Sequence, residues 1–257
     1  MCSTCGCGHA ATGIETHSHD GATHHHDHAH HHSDAQEARR VQVEQDILGR
    51  NNAFAEQNRC YFRQHGIFTL NLVSSPGAGK TALLTATIDA LKPHYAVSVI
   101  EGDQQTQRDA DRIRETGAGV IQINTGKGCH LDAHMVGHAV TELQPADDSV
   151  LMIENVGNLV CPAAFDLGEA HKVAVLSVTE GEDKPLKYPD MFYAADVMLI
   201  NKTDLLPYVD FDVQQCIAYA REVNAGIRII QLSAARGTNL GEWTEWIKQG
   251  LKQRRAA

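Results

Sequence analysis

An α/β fold with a mostly parallel central sheet flanked by helices is what this 257-residue sequence predicts, and three observations carry the prediction. Short apolar runs of strand length are separated by longer segments of helical pattern. One strand–helix junction, Ser74-Ser75-Pro76-Gly77-Ala78-Gly79-Lys80-Thr81, is rich in glycine. Several other apolar runs end in a carboxylate or an amide, and the carboxyl ends of strands are where such a sheet presents ligands.

Phe68-Thr69-Leu70-Asn71-Leu72-Val73 is the first strand, bounded by Gly66 and the Ser-Pro-Gly cluster, and Ala82 to Leu91 reads as the helix behind it. Between them, several backbone N–H groups and a helix N-terminus face one point, where a polyphosphate can sit. Ser75, Pro76, Gly77, Ala78 and Gly79 would form the cradle, Lys80 would reach the β/γ-phosphates, and the Thr81 hydroxyl would meet a Mg²⁺ ion. A side chain at Gly77 or Gly79 would hold the backbone off the phosphate. Ser74 stands where this pattern usually opens with glycine.

The second strand, Ala96 to Ile100, ends in Glu101-Gly102-Asp103. Asp103 is expected either to serve the Mg²⁺ shell or the attacking water, or to cap a helix from Gln104 to Glu115. Val120 to Ile123 is the third strand, and Val150 to Ile153 the fourth. The latter runs into Glu154-Asn155-Val156-Gly157, which makes Glu154 the second metal-facing acid, at a place where aspartate is commoner. Lys80, Asp103 and Glu154 are thus the expected catalytic set. Val197 to Ile200 delivers Asn201-Lys202-Thr203-Asp204. A carboxylate at Asp204 accepts from both N1–H and the 2-amino group of guanine, donors that adenine lacks. Asn201 would tie this loop together and the Lys202 stem would cover the ring. After the strand Ile227 to Leu232, Ser233-Ala234 would offer a backbone N–H to the guanine carbonyl. Leu240 to Gln253 is a closing amphipathic helix with Trp243 and Trp246 as core anchors.

The net charge of −10 excludes the basic surface that nucleic acid or anionic lipid requires. With no membrane-length apolar run and no signal-peptide core, the expected location is cytoplasmic. Residues 1–36 read as a separate, disordered Cys/His-rich tail, residues 37–66 as a helical segment and residues 67–257 as the nucleotide-binding domain. Cys2, Cys5 and Cys7 place three thiols within six residues, a metal clamp whose fourth ligand would be the α-amino group once Met1 is removed. That set suits Zn²⁺ or Ni²⁺, square-planar geometry favouring nickel. His17, His19, His24, His25, His26, His28, His30, His31 and His32 follow, a density suited to storing or buffering divalent ions. From Val43 to Phe62 apolar residues recur at roughly helical spacing, so one long or two shorter amphipathic helices connect tail and core, with Cys60 packed inside the pattern.

A second metal constellation lies inside the domain. His130, His134 and His138 recur every four residues and would line one helix face beside Cys129. Cys161 follows the Glu154 loop, so Cys129, His130 and Cys161 would meet beside the nucleotide. A metal gripped by loops next to the γ-phosphate would be held or released as those loops rearrange.

Taken together, these motifs resemble the HypB family, SIMIBI-class phosphate-loop GTPases that help insert nickel into [NiFe]-hydrogenase. The likeness runs from Cys2-Ser3-Thr4-Cys5-Gly6-Cys7 through the phosphate loop, Glu101-Gly102-Asp103, Gly128-Cys129-His130, Glu154 to Pro162 and Asn201 to Asp204. It implies a phosphate-loop fold, GTP hydrolysed to GDP with Mg²⁺, a tight nickel site at Cys2, Cys5 and Cys7, and a weaker Ni²⁺/Zn²⁺ site at Cys129, His130 and Cys161. It also implies a homodimer on GTP binding, with a nickel-handling accessory protein and the hydrogenase large subunit as partners. Lys184 is a candidate contact to nucleotide or partner subunit. Without an assured catalytic glutamine or arginine finger, turnover by the chain alone is expected to be slow. A passive nickel store and a GTPase serving another nickel enzyme, such as urease, are the rival readings.

Overall fold

A computed structural model describes residues 31–103 and 108–256, and the Cys2, Cys5, Cys7 clamp and most of the histidine run therefore lie outside the described residues. In chain order the elements are α1 (His31–Gln64), β1 (Phe68–Ser74), α2 (Lys80–Leu91), β2 (Val97–Asp103), α3 (Arg108–Arg114), β3 (Gly119–Asn124), α4 (Ala133–Leu143) and β4 (Val150–Glu154). Then follow α5 (Cys161–Ala164), β5 (His171–Ser177), α6 (Lys184–Lys187), α7 (Pro189–Ala194), β6 (Val197–Asn201), α8 (Val213–Val223), β7 (Arg228–Gln231) and α9 (Leu240–Ala256). Among the described residues, those up to Arg50 and those from Asn51 onward fall into two units. Among the described residues no helix is long and apolar enough to cross a membrane.

Among the described residues the sheet has seven strands, every pair parallel, in the order β3-β2-β4-β1-β5-β6-β7. Strand alternation divides its side chains between two layers. Leu70, Leu72, Met152, Val173 and Val175 pack with Leu83, Leu84, Ile88, Trp243 and Ile247 of α2 and α9. On the other face, Ile100, Leu151 and Ile153 meet Phe62 and the α4 residues Val136 and Val140, while Ala174, Leu176 and Met198 meet Phe192, Cys216 and Ala220. Helices on both faces are what keeps an all-parallel sheet out of water. Trp243 is fully buried with its indole N–H donated to Thr87 Oγ1 at 3.0 Å, whereas Trp246 is only partly buried.

Two elements depart from the sequence reading. Strand β5 is not among the predicted strands, because it opens with His171-Lys172, which read as surface ahead of the apolar run Val173 to Leu176. It occupies the place beside β1 and bridges to β6, so that β1 is flanked by β4 on one side and β5 on the other. The direction of chain progression switches there, which opens a crevice at the strands' carboxyl ends. In α1 the amphipathic expectation fails in the first half: Val43 and Ile47 are exposed. From Asn51 the helix does bury a face, through Ala55 and Phe62, and is fastened by two asparagines. Asn51 Oδ1 accepts from Ala133 N–H at 2.9 Å, and Asn58 Nδ2 donates to Ala133 O and Leu167 O at 2.7 and 3.0 Å. Cys60, expected to pack, is exposed, because it falls on the outward side of that half.

Candidate nucleotide and metal site

The crevice between β1, β2 and β4 is a cavity of about 390 Å³ lined by Pro76, Gly77, Gly79, Lys80 and Thr81 from the phosphate loop, with acids from the neighbouring strand ends. The loop depends on left-handed backbone at Gly77 (φ 78°) and Gly79 (φ 94°). At Gly79 a Cβ would also stand 2.8 Å from Asn201 Nδ2. Gly157 lets the β4 loop lie against the phosphate loop, since a Cβ there would be 3.1 Å from Pro76 Cα. Lys80 is buried, its Nζ donating to Ser74 Oγ at 2.7 Å, so the serine at the start of the loop holds the ammonium in place. Burial pulls the Lys80 ammonium below its usual range, and Glu154 opposes that pull.

Thr81 Oγ1 donates to Glu154 Oε1 at 2.9 Å. Burial raises the Glu154 carboxyl to about 7, with Lys80 and the Thr81 hydrogen bond drawing the other way. Glu101, its register partner on β2, is raised further, to about 8, first by burial and then by the Glu154 and Asp103 charges. Sequence reasoning singled out Asp103 from Glu101-Gly102-Asp103 and passed over Glu101, although the same strand-tip signal that selected Glu154 applies to it. Asp103 is half-buried and lines the same cavity, as does Asp109 of α3. The first helical residue after Asp103 among those described is Arg108, and the helix start expected at Gln104 lies outside the described residues. The donor set suits Mg²⁺: all-oxygen ligands, with Oε2 of both Glu101 and Glu154 buried and lacking a hydrogen-bond partner.

On the far side of β1 the Asn201-Lys202-Thr203-Asp204 loop is locked to the phosphate loop. Asn201 donates to Ala78 O at 3.0 Å and accepts from Ala234 N–H at 3.1 Å, which joins its loop to the phosphate loop and to the Ser233-Ala234 loop. Ala234 N–H is thereby used in holding the loop. Lys202 takes a left-handed φ of 61° and its Nζ donates to Gly77 O at 2.6 Å. Asp204 accepts from the Ser233 hydroxyl, which orients the carboxylate. Lys184 Nζ reaches Ser75 Oγ at 3.3 Å and Glu180 at 3.6 Å, beside the same loop.

Cys129, His130 and Cys161 converge, with candidate ligand atoms all within 4.8 Å of one another. The two sulfurs are 2.9 Å apart and His130 Nδ1 is 3.7 Å from Cys129 Sγ. Burial lowers the His130 pKa, which favours the neutral, ligating imidazole. A chain of buried polar groups supports the two loops. Leu131 N–H donates to Asn155 Oδ1 at 3.1 Å, Asn155 Nδ2 to Asn71 Oδ1 at 3.2 Å, and Asn71 Nδ2 to Glu169 Oε1 at 3.0 Å. Glu169 pairs with Lys172 at 3.9 Å, and Lys172 Nζ donates to Pro162 O, Ala163 O and Phe165 O at 2.9, 3.1 and 3.1 Å. The chain thus starts beside His130, passes Asn155 on the wall of the nucleotide cavity, and ends on the turn that carries Cys161. Asn155 and Lys172 carried no motif in the sequence, because their partners lie far along the chain.

The expectation that His130, His134 and His138 share a helix face is corrected. Asp132 caps α4 by accepting from Met135 N–H at 2.8 Å, so His130 precedes the helix. His134 and His138 remain a pair on α4, exposed, Nε2 to Nε2 at 3.1 Å, outside the Cys129 cluster and facing Phe54 of α1.

A parallel sheet switching direction at a phosphate loop, with an Asn-Lys-x-Asp loop locked to it, defines a phosphate-loop protein of the GTPase type. Residues 68–231 match the family model described as CobW/HypB/UreG, nucleotide-binding domain. Hydrogenase maturation factor HypB of Azotobacter chroococcum mcd 1 is 66% identical over 213 residues, spanning 83% of this chain and 70% of that one. Its counterpart in Escherichia coli K12 is 61% identical over 210 residues, spanning 82% and 72%. The solved structure of HypB from Helicobacter pylori in complex with nickel superposes with a TM-score of 0.74 at 36% identity, over 79% of this chain and 96% of that one. The chain belongs to the HypB family.

Proposed function

We propose that the chain is a GTP-hydrolysing nickel metallochaperone that delivers Ni²⁺ during [NiFe]-hydrogenase maturation, pairing with a second copy in the GTP state and releasing metal as that state decays. The observation that carries the reading is the meeting of Cys129, His130 and Cys161 on loops braced through Asn155, a residue that also lines the nucleotide cavity. The relatives' hydrogenase role and the nickel held by the Helicobacter pylori protein support it. Two thiolates and an imidazole suit Ni²⁺ or Zn²⁺ as cargo. Mg²⁺ bound near Thr81, Glu154 and Asp103 would supply charge stabilisation at the β- and γ-phosphate oxygens. Lys80 would leave Ser74 for the phosphates, and Asp204, set by Ser233, would take the guanine edge. The accessory protein and hydrogenase large subunit are the expected recipients of the metal, and Cys2, Cys5 and Cys7 its first holders.

Calorimetric titration of Ni²⁺ and Zn²⁺ into the full chain, with GDP and with a non-hydrolysable GTP analogue, tests this reading. The domain-site affinity should differ between the two nucleotides by roughly fivefold or more, and Cys129→Ala with Cys161→Ala should abolish the difference. Equal affinities in both states would overturn the delivery mechanism. Removing residues 1–36 separates a store from a chaperone: a store loses nearly all nickel and its phenotype, whereas a chaperone keeps the nucleotide-dependent site.

A further inference from the structure

We propose that Lys172 is a positioning residue for the cargo metal, pinning the turn that carries Cys161 so that the domain site holds its ion firmly although Lys172 itself touches no ligand. The inference rests on the Cys129, His130, Cys161 reading above and goes beyond it by assigning what fixes the geometry of that site. Cys161 opens α5, a helix of only four residues with Pro162 beside it. So short a helix leaves its carbonyls without partners of its own. Lys172 supplies them: its Nζ donates to Pro162 O at 2.9 Å, Ala163 O at 3.1 Å and Phe165 O at 3.1 Å. Three acceptors match the three N–H bonds of an ammonium. Burial works against that charge, and the carboxyl of Glu169, 3.9 Å away and also buried, supports it.

The turn serves two of the three ligand groups. At its start Cys161 Sγ faces Cys129 Sγ at 2.9 Å, and at its end the Phe165 ring lies 3.9 Å, centroid to centroid, from the His130 imidazole. Asn158 fastens the entry to the turn, accepting from Val160 N–H at 2.9 Å and donating to Cys129 O at 3.3 Å. Lys172 fastens the exit, and because it belongs to β5 it fixes the turn to the sheet. An apolar side chain at this place would cover the sheet without the cost of burying an ammonium, so the three carbonyls are what the lysine gains. A metal ion binds more tightly when its ligands already stand in place, and the groups behind the ligands typically account for roughly tenfold to a hundredfold in affinity.

The test uses the full chain carrying Cys2→Ser, Cys5→Ser and Cys7→Ser as parent, which silences the tail thiols. Co²⁺ is titrated at free concentrations set by a competing chelator, and the thiolate-to-cobalt charge-transfer absorption is read, a band that the histidine run does not give. Lys172→Met removes the donors while nearly keeping the length, and pairing it with Glu169→Gln avoids leaving a buried carboxylate without its cation. In the double variant cobalt affinity should fall roughly tenfold or more and the absorption per bound ion should change, while GDP affinity stays within about threefold of the parent. Glu169→Gln alone keeps the three carbonyl contacts, and its cobalt affinity should stay within about threefold of the parent. An unchanged cobalt affinity and band in the double variant overturns the proposal while leaving the domain metal site intact. Equal losses of cobalt and GDP affinity, or a loss in Glu169→Gln as large as in the double variant, also overturn it, because Lys172 would then serve general stability. A parent chain that gives no thiolate band removes the domain metal site and the proposal together.

Discussion

Asp204 shows how much one side chain can decide. Its carboxylate is held by the Ser233 hydroxyl, and its proposed role is to accept from two guanine donors. Asp204→Asn replaces one acceptor oxygen by a donor, and the loss should be on the order of 2 to 3 kcal/mol, roughly a hundredfold in GDP affinity. Competition binding against ADP would read this directly, and an unchanged preference for GDP would remove Asp204 from base recognition. Cysteine chemistry gives a second prediction at this scale. Burial pushes the Cys216 thiol up to about 12, so at pH 8 its thiolate is on the order of 10⁻⁴ of the total. Iodoacetamide on the native protein should therefore label exposed Cys60 and spare Cys216 until denaturant is added, as followed by peptide mass spectrometry. Lys80, Thr81, Asn201 and Asp204 were legible as sequence because each belongs to a short motif whose chemistry is complete within a few residues. Glu101, Asn155 and Lys172 were not, because what distinguishes them is the identity of partners on other elements.

Elements owe their placing to a few contacts of this second kind. Gly168 has φ 90°, and a Cβ on it would stand 2.6 Å from Ala55 O and 2.9 Å from Arg59 N, both backbone atoms of α1. Gly168→Ala combines left-handed strain with overpacking against atoms that cannot rotate away, a cost of about 2 to 4 kcal/mol. Urea unfolding should show that loss in its midpoint, and a stability within about 0.5 kcal/mol of wild type would refute the close packing of α1 on this turn. Most strands were readable because a buried parallel strand is a short apolar run ended by polar residues. Strand β5 was not, since Lys172 in its second position reads as surface until its three carbonyl partners are known. Helix α4 was misjudged at its start for a related reason: four-residue histidine spacing runs through Asp132, and only the capping hydrogen bond shows that the helix begins after His130.

For the molecule as a whole, the proposed coupling between the nucleotide cavity and the Cys129, His130, Cys161 cluster is what a variant can test. Asn155 is the natural point of contact, being 1% exposed, on the cavity wall and bonded both to Leu131 N–H and to Asn71. Asn155→Ala should cost roughly 2 kcal/mol of stability, because it strands buried donors and acceptors, which a fold of ordinary stability survives. Its sharper effect should be on coupling: the difference in metal affinity between GDP and GTP-analogue states should shrink at least threefold, while metal affinity without nucleotide changes less. Calorimetry on the variant measures both, and a coupling equal to wild type would show that the two sites communicate by another route.

The amino-acid order by itself determined the parts whose physics is local: the glycine-bent phosphate loop between strand and helix, the Asn-Lys-Thr-Asp tetrapeptide at a strand end, and the apolar runs that become the sheet. Tertiary structure alone decided which separated residues meet. The β2–β4 register set Glu101 beside Glu154, β5 entered between β1 and β6, and Cys161 came within 2.9 Å of Cys129 although 32 residues separate them. Backbone preference acts over a few neighbouring residues, whereas strand register and loop convergence are set by packing of the whole sheet, and no short stretch carries that information.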